Sequence, residues 1–212
     1  CKTIFVTSTT SGEGKSFIAT NLACTLSLSG KKVALLGMDL RAPKITEYLN
    51  VPDQRGVTNF IKDKDMQFQD LGFPMPGFKE MDVFISGVIP PNPAELLLHS
   101  KVEILFTQLQ AKYDYVVVDT APVSLVTDTL MISKYADMTI YVSRAGYLDK
   151  RLLSVPEMLY NEKRLPNMSM LINASDHQRG YGYGVYGAYG GYGGYGYGQK
   201  KELPWWKKMF KS

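Results

Sequence analysis

The sequence predicts an α/β fold, an open and mostly parallel sheet flanked by helices, and three observations predict it. Short apolar runs alternate with helix-length periodic stretches through most of the chain. The run Tyr115–Val118 is continuously apolar, which suits a strand covered on both faces. A glycine-containing turn separates the first strand from the first helix, where an open α/β sheet places its ligand loops.

Taken in order, residues 3–8 read as a strand and Ser16–Ser29 as a helix with recurring apolar positions. Residues 32–36 give the second strand, and Pro43 can open a short helix. Residues 50–80 mix turn residues with weak periodicity and should be the least regular stretch. Met81–Ile85 is the third strand; the run Pro90-Pro91-Asn92-Pro93 stops it and leads into one helix reaching about Lys112, its apolar face built on Leu96, Leu97 and Leu105. Tyr115–Val118 is the fourth strand, followed by a helix near 125–135, a strand at Thr139–Val142, a helix near 149–161 and a last strand at Ser169–Ile172. The pattern stops after Arg179, so residues 1–179 form the folded unit.

Composition narrows the class. The chain has 212 residues, of which 45% are apolar, which excludes disorder throughout and fits one core with a tail. No apolar run approaches the roughly 20 residues that span a bilayer as a helix, so the chain as it stands should be soluble. Cys1 and Cys24 are too few for a disulfide scaffold; Cys24 falls in a helical pattern, where a buried thiol and a reducing compartment are expected. The net charge of +4 resides in residues 199–212, which hold five lysines and one glutamate, leaving the rest neutral and giving no sign of a nucleic-acid partner. A core strand that begins almost at once, without an initiating methionine, predicts further sequence upstream.

The chemistry gathers in three motifs. Thr9-Thr10-Ser11-Gly12-Glu13-Gly14-Lys15-Ser16 matches the phosphate-loop pattern in its Gly-Lys-Ser ending, with Thr9 in place of the first glycine. Backbone N–H groups can converge on phosphate there, Gly12 and Gly14 permit close approach, Lys15 reaches the outer phosphates and the Ser16 hydroxyl suits magnesium. The second motif is Gly37-Met38-Asp39-Leu40-Arg41-Ala42-Pro43. Asp39 can hold magnesium directly or through water and align or deprotonate a hydroxyl nucleophile, while Arg41 either neutralises phosphate charge or braces the loop. The third is Asp119-Thr120-Ala121-Pro122, a carboxylate at the end of an apolar strand. Parallel strands can bring all three to one crevice, so the ligand expected is a magnesium nucleotide. There is no Asn-Lys-x-Asp guanine motif; Asn173 stands where a base contact or an ordinary turn residue is equally compatible. His99 and His177 lack any ligand pattern for zinc.

These motifs, with Ser86-Gly87-Val88-Ile89-Pro90-Pro91-Asn92-Pro93-Ala94-Glu95-Leu96-Leu97 and a glycine-spaced tyrosine tail, resemble the cytoplasmic catalytic domain of the bacterial tyrosine kinases that regulate capsular or exopolysaccharide export. The resemblance implies a phosphate-loop fold of the MinD/ParA-like type, with ATP and Mg2+ as cofactors. It implies nucleotide contacts at Gly12, Glu13, Gly14, Lys15, Ser16, Phe17 and Asn173, metal ligands at Ser16, Asp39 and Asp119, and catalytic roles for Lys15, Asp39, Arg41 and Asp119. It further implies a homo-oligomeric ring, an octamer in the intact protein, in which subunits phosphorylate their neighbours' tails. Its expected partners are a polysaccharide co-polymerase membrane domain or adaptor and a cognate protein-tyrosine phosphatase, and its place is the cytoplasmic side of the inner membrane. Two departures stand out: Gly37 occupies the position of a first aspartate, and Thr10 that of the signature lysine of related partitioning ATPases. A water-using ATPase and a nucleotide-regulated interaction module remain compatible with the motifs.

The tail carries the acceptor reading. Residues 180–198 hold ten glycines and seven tyrosines, and Tyr181, Tyr183, Tyr186, Tyr189, Tyr192, Tyr195 and Tyr197 are each followed by glycine. Its nineteen residues reach about 60 Å when extended, at roughly 3.3 Å per residue, enough to cross a subunit boundary. Each phosphate adds about −1.5 to −2 charges, so three would reverse the net charge of +4 and favour release of the tail. An aromatic adhesive segment is the competing reading. In the basic segment 199–212, Trp205 and Trp206 beside Lys207 and Lys208 can touch an anionic membrane or simply form a solvated end.

Overall fold

A computed structural model describes residues 2–49 and 55–175. The seven tail tyrosines, Tyr181 to Tyr197, lie outside the described residues, as do Cys1, His177 and the Trp205–Trp206 segment. Among the described residues seven strands form one sheet: β1 (Thr3–Ser8), β2 (Val33–Gly37), β3 (Phe73–Pro74), β4 (Met81–Phe84), β5 (Tyr115–Asp119), β6 (Met138–Arg144) and β7 (Met168–Asn173). Their order is β3-β4-β2-β5-β1-β6-β7. Every pairing is parallel except the short β3–β4 edge.

The strands read as unbroken apolar runs because both faces are covered. Successive side chains point to opposite faces, so Phe5, Ala34, Leu36, Val116 and Val118 enter one core layer while Val6, Val33, Leu35 and Val117 enter the other. The first layer is closed by α3 (Val57–Lys62) and α5 (Ser100–Lys112) through Phe60, Ile61, Val102, Leu105, Phe106 and Leu109. The second is closed by α1 (Lys15–Leu28) through Ala19 and Ala23, small residues that let the helix lie close to the sheet. Each larger side chain buried this way contributes about 1.5–3 kcal/mol. Cys24 packs half-buried beside the α1 layer, where burial pushes its thiol up to about 11.

Topology places the site. The chain up to Asp119 builds β2, β3 and β4 on one side of β1 and inserts β5 between β1 and β2; it then crosses to the other side for β6 and β7. A crevice opens at the carboxyl end of β1 for that reason. Register aligns the three central strands there, since Asp119 lies opposite both Val6 and Gly37.

Several elements differ in detail from expectation. The single helix expected up to Lys112 is two, α4 (Pro93–Leu97) and α5, with His99 in extended conformation between them. His99 Nδ1 accepts the Lys101 N–H at 3.1 Å, so the imidazole caps the second helix. Stretch 55–80 contains α3, a 3-10 turn at Phe68–Asp70 and β3, more order than weak periodicity suggested. The short helix after Pro43, α2, spans Ile45–Leu49. The helix near 125–135 begins at Asp128 as α6 (Asp128–Ile132), and the one near 149–161 opens with a 3-10 turn before α7 (Ser154–Asn161). Among the described residues no helix is long and apolar enough to cross a membrane.

Candidate functional site: a phosphate loop facing two buried carboxylates

The loop between β1 and α1 is shaped by two glycines. Gly12 and Gly14 have φ of 86° and 95°, in the left-handed region that L side chains rarely adopt. A Cβ at Gly14 would collide with the Asn173 side-chain nitrogen, and one at Gly12 would lie 2.6 Å from the Tyr147 hydroxyl. Thr9 has no positive φ, so this position does not demand the glycine of the common motif. Its side chain instead works as a brace: buried Thr9 Oγ1 lies 2.9 Å from the Tyr141 hydroxyl, and its carbonyl accepts the Ser124 N–H at 3.2 Å. Burial pushes the Tyr141 phenol up to about 12, which keeps it neutral.

Glu13 is fully buried and turned inward. One carboxylate oxygen accepts the Thr10 N–H at 2.6 Å and the other the Arg144 N–H at 3.3 Å, which ties the loop to the end of β6. The Glu13 carbonyl accepts from Asn173 Nδ2 at 2.9 Å, tying it to the end of β7 as well. Among the described residues, no protein group accepts a hydrogen bond from the backbone N–H groups of Gly12, Glu13, Gly14, Lys15 or Ser16.

At the head of α1, Lys15 sits between the two carboxylates, Nζ 3.0 Å from Asp39 Oδ2 and 3.8 Å from Asp119 Oδ1, all three buried. Asp39 is well satisfied, for its second oxygen accepts the N–H groups of Arg41 and Ala42 at 3.3 and 3.0 Å. Asp119 is not: its Oδ1 is buried and accepts no hydrogen bond. Burial pushes the Asp119 carboxyl up to about 6; Lys15 and a hydrogen bond from Ser16 pull it down, and Asp39 adds to the rise. A buried, unsatisfied carboxylate oxygen beside a serine hydroxyl is the donor set a hard divalent cation takes, so Ser16, Asp119 and Asp39 fit magnesium chemically.

Two further positions shape the second motif. A Cβ at Gly37 would lie 2.9 Å from Ser86 Oγ and 3.3 Å from Ser86 N. Ser86 Oγ lies 3.0 Å from the Gly37 carbonyl and 3.3 Å from that of Asp39, within hydrogen-bonding distance of both, so the hydroxyl fills the space an aspartate would need. Arg41 forks onto Asp128, with Nε and Nη2 at 2.8 and 3.0 Å from its two oxygens. Asp128 is buried and opens α6, so the fork braces the Asp39 loop against the segment after Asp119.

A cavity of about 370 Å³ opens beside the loop. Of the residues expected to bind nucleotide, Gly12, Gly14, Lys15, Ser16, Phe17 and Asn173 line it, while the Glu13 side chain faces away. Sequence reasoning missed Lys44, Tyr48, Arg144 and Ala174, which also line it, and the Asp128 and Ser86 supports. Arg144 ends an apolar strand, which is a readable signal; Lys44 and Tyr48 stand four apart in and beside α2 and could have been found once that helix was placed at the crevice.

Comparisons with known proteins agree with this fold. Residues 4–181 match the family model described as the CobQ/CobB/MinD/ParA nucleotide binding domain. The chain is 36% identical over 149 residues to tyrosine-protein kinase YwqD of Bacillus subtilis strain 168, covering 70% of this chain and 62% of that one. Of this and two further curated tyrosine-protein kinases, the chain spans 62, 18 and 61% of the length. Among solved structures, the chimerical protein CapA2B2 superposes with a TM-score of 0.75 at 29% identity, over 82% of this chain and 77% of that one. A plasmid partition protein of Borrelia burgdorferi bound to AMPPNP superposes with a TM-score of 0.65 at 25% identity, over 84 and 76% of the two chains.

Proposed function

The chain belongs to the CobQ/CobB/MinD/ParA nucleotide-binding family, and from that premise we propose that it is the ATP-using catalytic domain of a bacterial tyrosine autokinase that modifies the tail tyrosines of a neighbouring subunit. One observation carries the proposal: Lys15 lies between Asp39 and Asp119 at the aligned ends of three central strands, in a chain that also bears seven glycine-followed tyrosines. Likeness to a tyrosine-protein kinase and to a partition protein bound to AMPPNP supports a triphosphate as the ligand.

In this reading the free N–H groups of the loop and the Lys15 ammonium bind and orient phosphate oxygens. Asp39, fixed by the Arg41 and Ala42 amides, would align the acceptor hydroxyl. Magnesium, held by Ser16 and Asp119 with Asp39, would neutralise phosphate charge. Arg41 acts from the side, through Asp128. Assembly as a ring, attachment to a membrane co-polymerase or its adaptor on the cytoplasmic face, and resetting by a phosphatase belong to the same proposal. Control of polysaccharide export is the role it would serve.

A second reading, a water-using assembly or positioning ATPase, draws support from the likeness to a plasmid partition protein bound to AMPPNP. Incubating the full chain with ATP and magnesium, mapping phosphotyrosine by mass spectrometry and following phosphate release together separates the two. The kinase reading expects modification within Tyr181–Tyr197, reduced roughly a hundredfold or more by Lys15→Met, as for loss of a transition-state charge contact. Phosphate release without any tail modification would favour the ATPase, and undiminished transfer by Lys15→Met would remove the site assignment.

A further inference from the structure

Three consecutive carbonyl groups of the phosphate loop are each held by a side chain from the far side of the crevice. The Ser11 carbonyl accepts from the Tyr147 hydroxyl at 3.1 Å, that of Gly12 from Arg144 Nη1 at 3.1 Å, and that of Glu13 from Asn173 Nδ2 at 2.9 Å. The guanidinium of Arg144 also lies over the Tyr147 ring, 5.1 Å from its centroid, so two of the three donors support each other. All three come from the carboxyl end of β6, the turn after it, and the end of β7.

In a planar trans peptide the carbonyl and the N–H point in opposite directions, and the described chain contains no cis bond. Drawing the carbonyls of residues 11, 12 and 13 to one side therefore turns the N–H groups of Gly12, Glu13 and Gly14 to the other. Those N–H groups have no protein acceptor among the described residues. From this juxtaposition we propose that Tyr147, Arg144 and Asn173 are positioning residues that set the direction of the loop's phosphate-binding amides by holding its carbonyls.

The inference rests on the reading of this loop as a nucleotide phosphate site, and not on tyrosine being the acceptor. Tyr147 is half-exposed and Arg144 exposed, so neither is a core residue whose loss would unfold the domain. With the hydroxyl removed and the ring kept, the Ser11–Gly12 peptide can rotate, and binding then includes the cost of ordering it.

The test uses the full chain with ADP as probe and no metal. Tyr147→Phe should weaken ADP by about fivefold, the effect of one hydrogen bond. In the nucleotide-free protein the amide resonance of Gly12 should shift, while Arg144→Gln should shift that of Glu13. Tyr147→Phe with unchanged ADP affinity and an unshifted Gly12 amide would overturn the proposal. So would a loss of affinity accompanied by resonance changes through the core and a fall in melting temperature, which would make the hydroxyl a stabilising contact only. If wild type binds ADP but leaves its tail unmodified, the kinase reading fails and this test still stands.

Discussion

The loops that carry the two buried carboxylates leave the sheet side by side, yet they are built to opposite ends. Asp39 is held on both oxygens, by Lys15 and by two backbone amides of its own turn. Asp119 keeps one oxygen unsatisfied and has its carboxyl pushed up to about 6 by burial. The first is rigid and already paid for in stability. The second carries a desolvation cost that Lys15 and Ser16 offset only in part, and sites of that kind hold function at the expense of stability. Two carboxylates of one site can thus share a lysine and differ in how many donors their surroundings supply.

The largest expected effect breaks this contrast directly. Asp119→Asn should lower magnesium-dependent turnover roughly a hundredfold or more, since a metal ligand contributes several kcal/mol to the transition state. The same variant should be more stable than wild type in the metal-free state at pH 8, measured by urea unfolding, because a buried charge that Lys15 and Ser16 offset only in part is gone. Equal or lower stability would show that Asp119 is satisfied in a way its orphan oxygen does not suggest.

Next in size is the pH dependence. The folded carboxyl of Asp119 titrates near 6 and its ordinary value is 3.8, so the sign is that of a raised group. Its favourable contribution is complete below the ordinary value and is lost as pH rises through about 6. At about 1.4 kcal/mol per unit, the metal-free protein should lose roughly 2–3 kcal/mol between pH 4 and 7 from this group. Asp119→Asn should remove that slope, and Asp39→Asn should not. The smallest effect concerns the neighbouring position. Gly37→Ala should cost about 1–3 kcal/mol, as overpacking does, and adding Ser86→Ala should return part of it. Strictly additive costs would mean that the two residues do not compete for the same space.

Much of this was legible in the sequence, and the remainder has identifiable causes. Strands buried on both faces announce themselves as apolar runs, so the ends of β1, β2 and β5, with Lys15, Asp39 and Asp119 beside them, were found without coordinates. The break between α4 and α5 was not, because neither Leu98 nor His99 is a helix breaker by type; the His99 cap is visible only once its Nδ1 meets the Lys101 amide. Arg144 and Tyr147 belong to no recognised motif and gain their role from where the end of β6 lands. Asp128 reads in sequence as an unremarkable helix start, since its partner is 87 residues away. Local patterns report what a residue is next to along the chain; tertiary pairs report only after the sheet order is known.

The Arg41–Asp128 fork has a consequence for how such domains diverge. With Asp128 almost completely enclosed and Arg41 exposed, replacing Arg41 strands a carboxylate inside the protein, whereas replacing Asp128 leaves a guanidinium that water can reach. Position 41 should therefore change through descent only together with or after position 128. The eight residues between Asp119 and Asp128, fastened at both ends, should resist insertion and deletion more than a surface connection usually does.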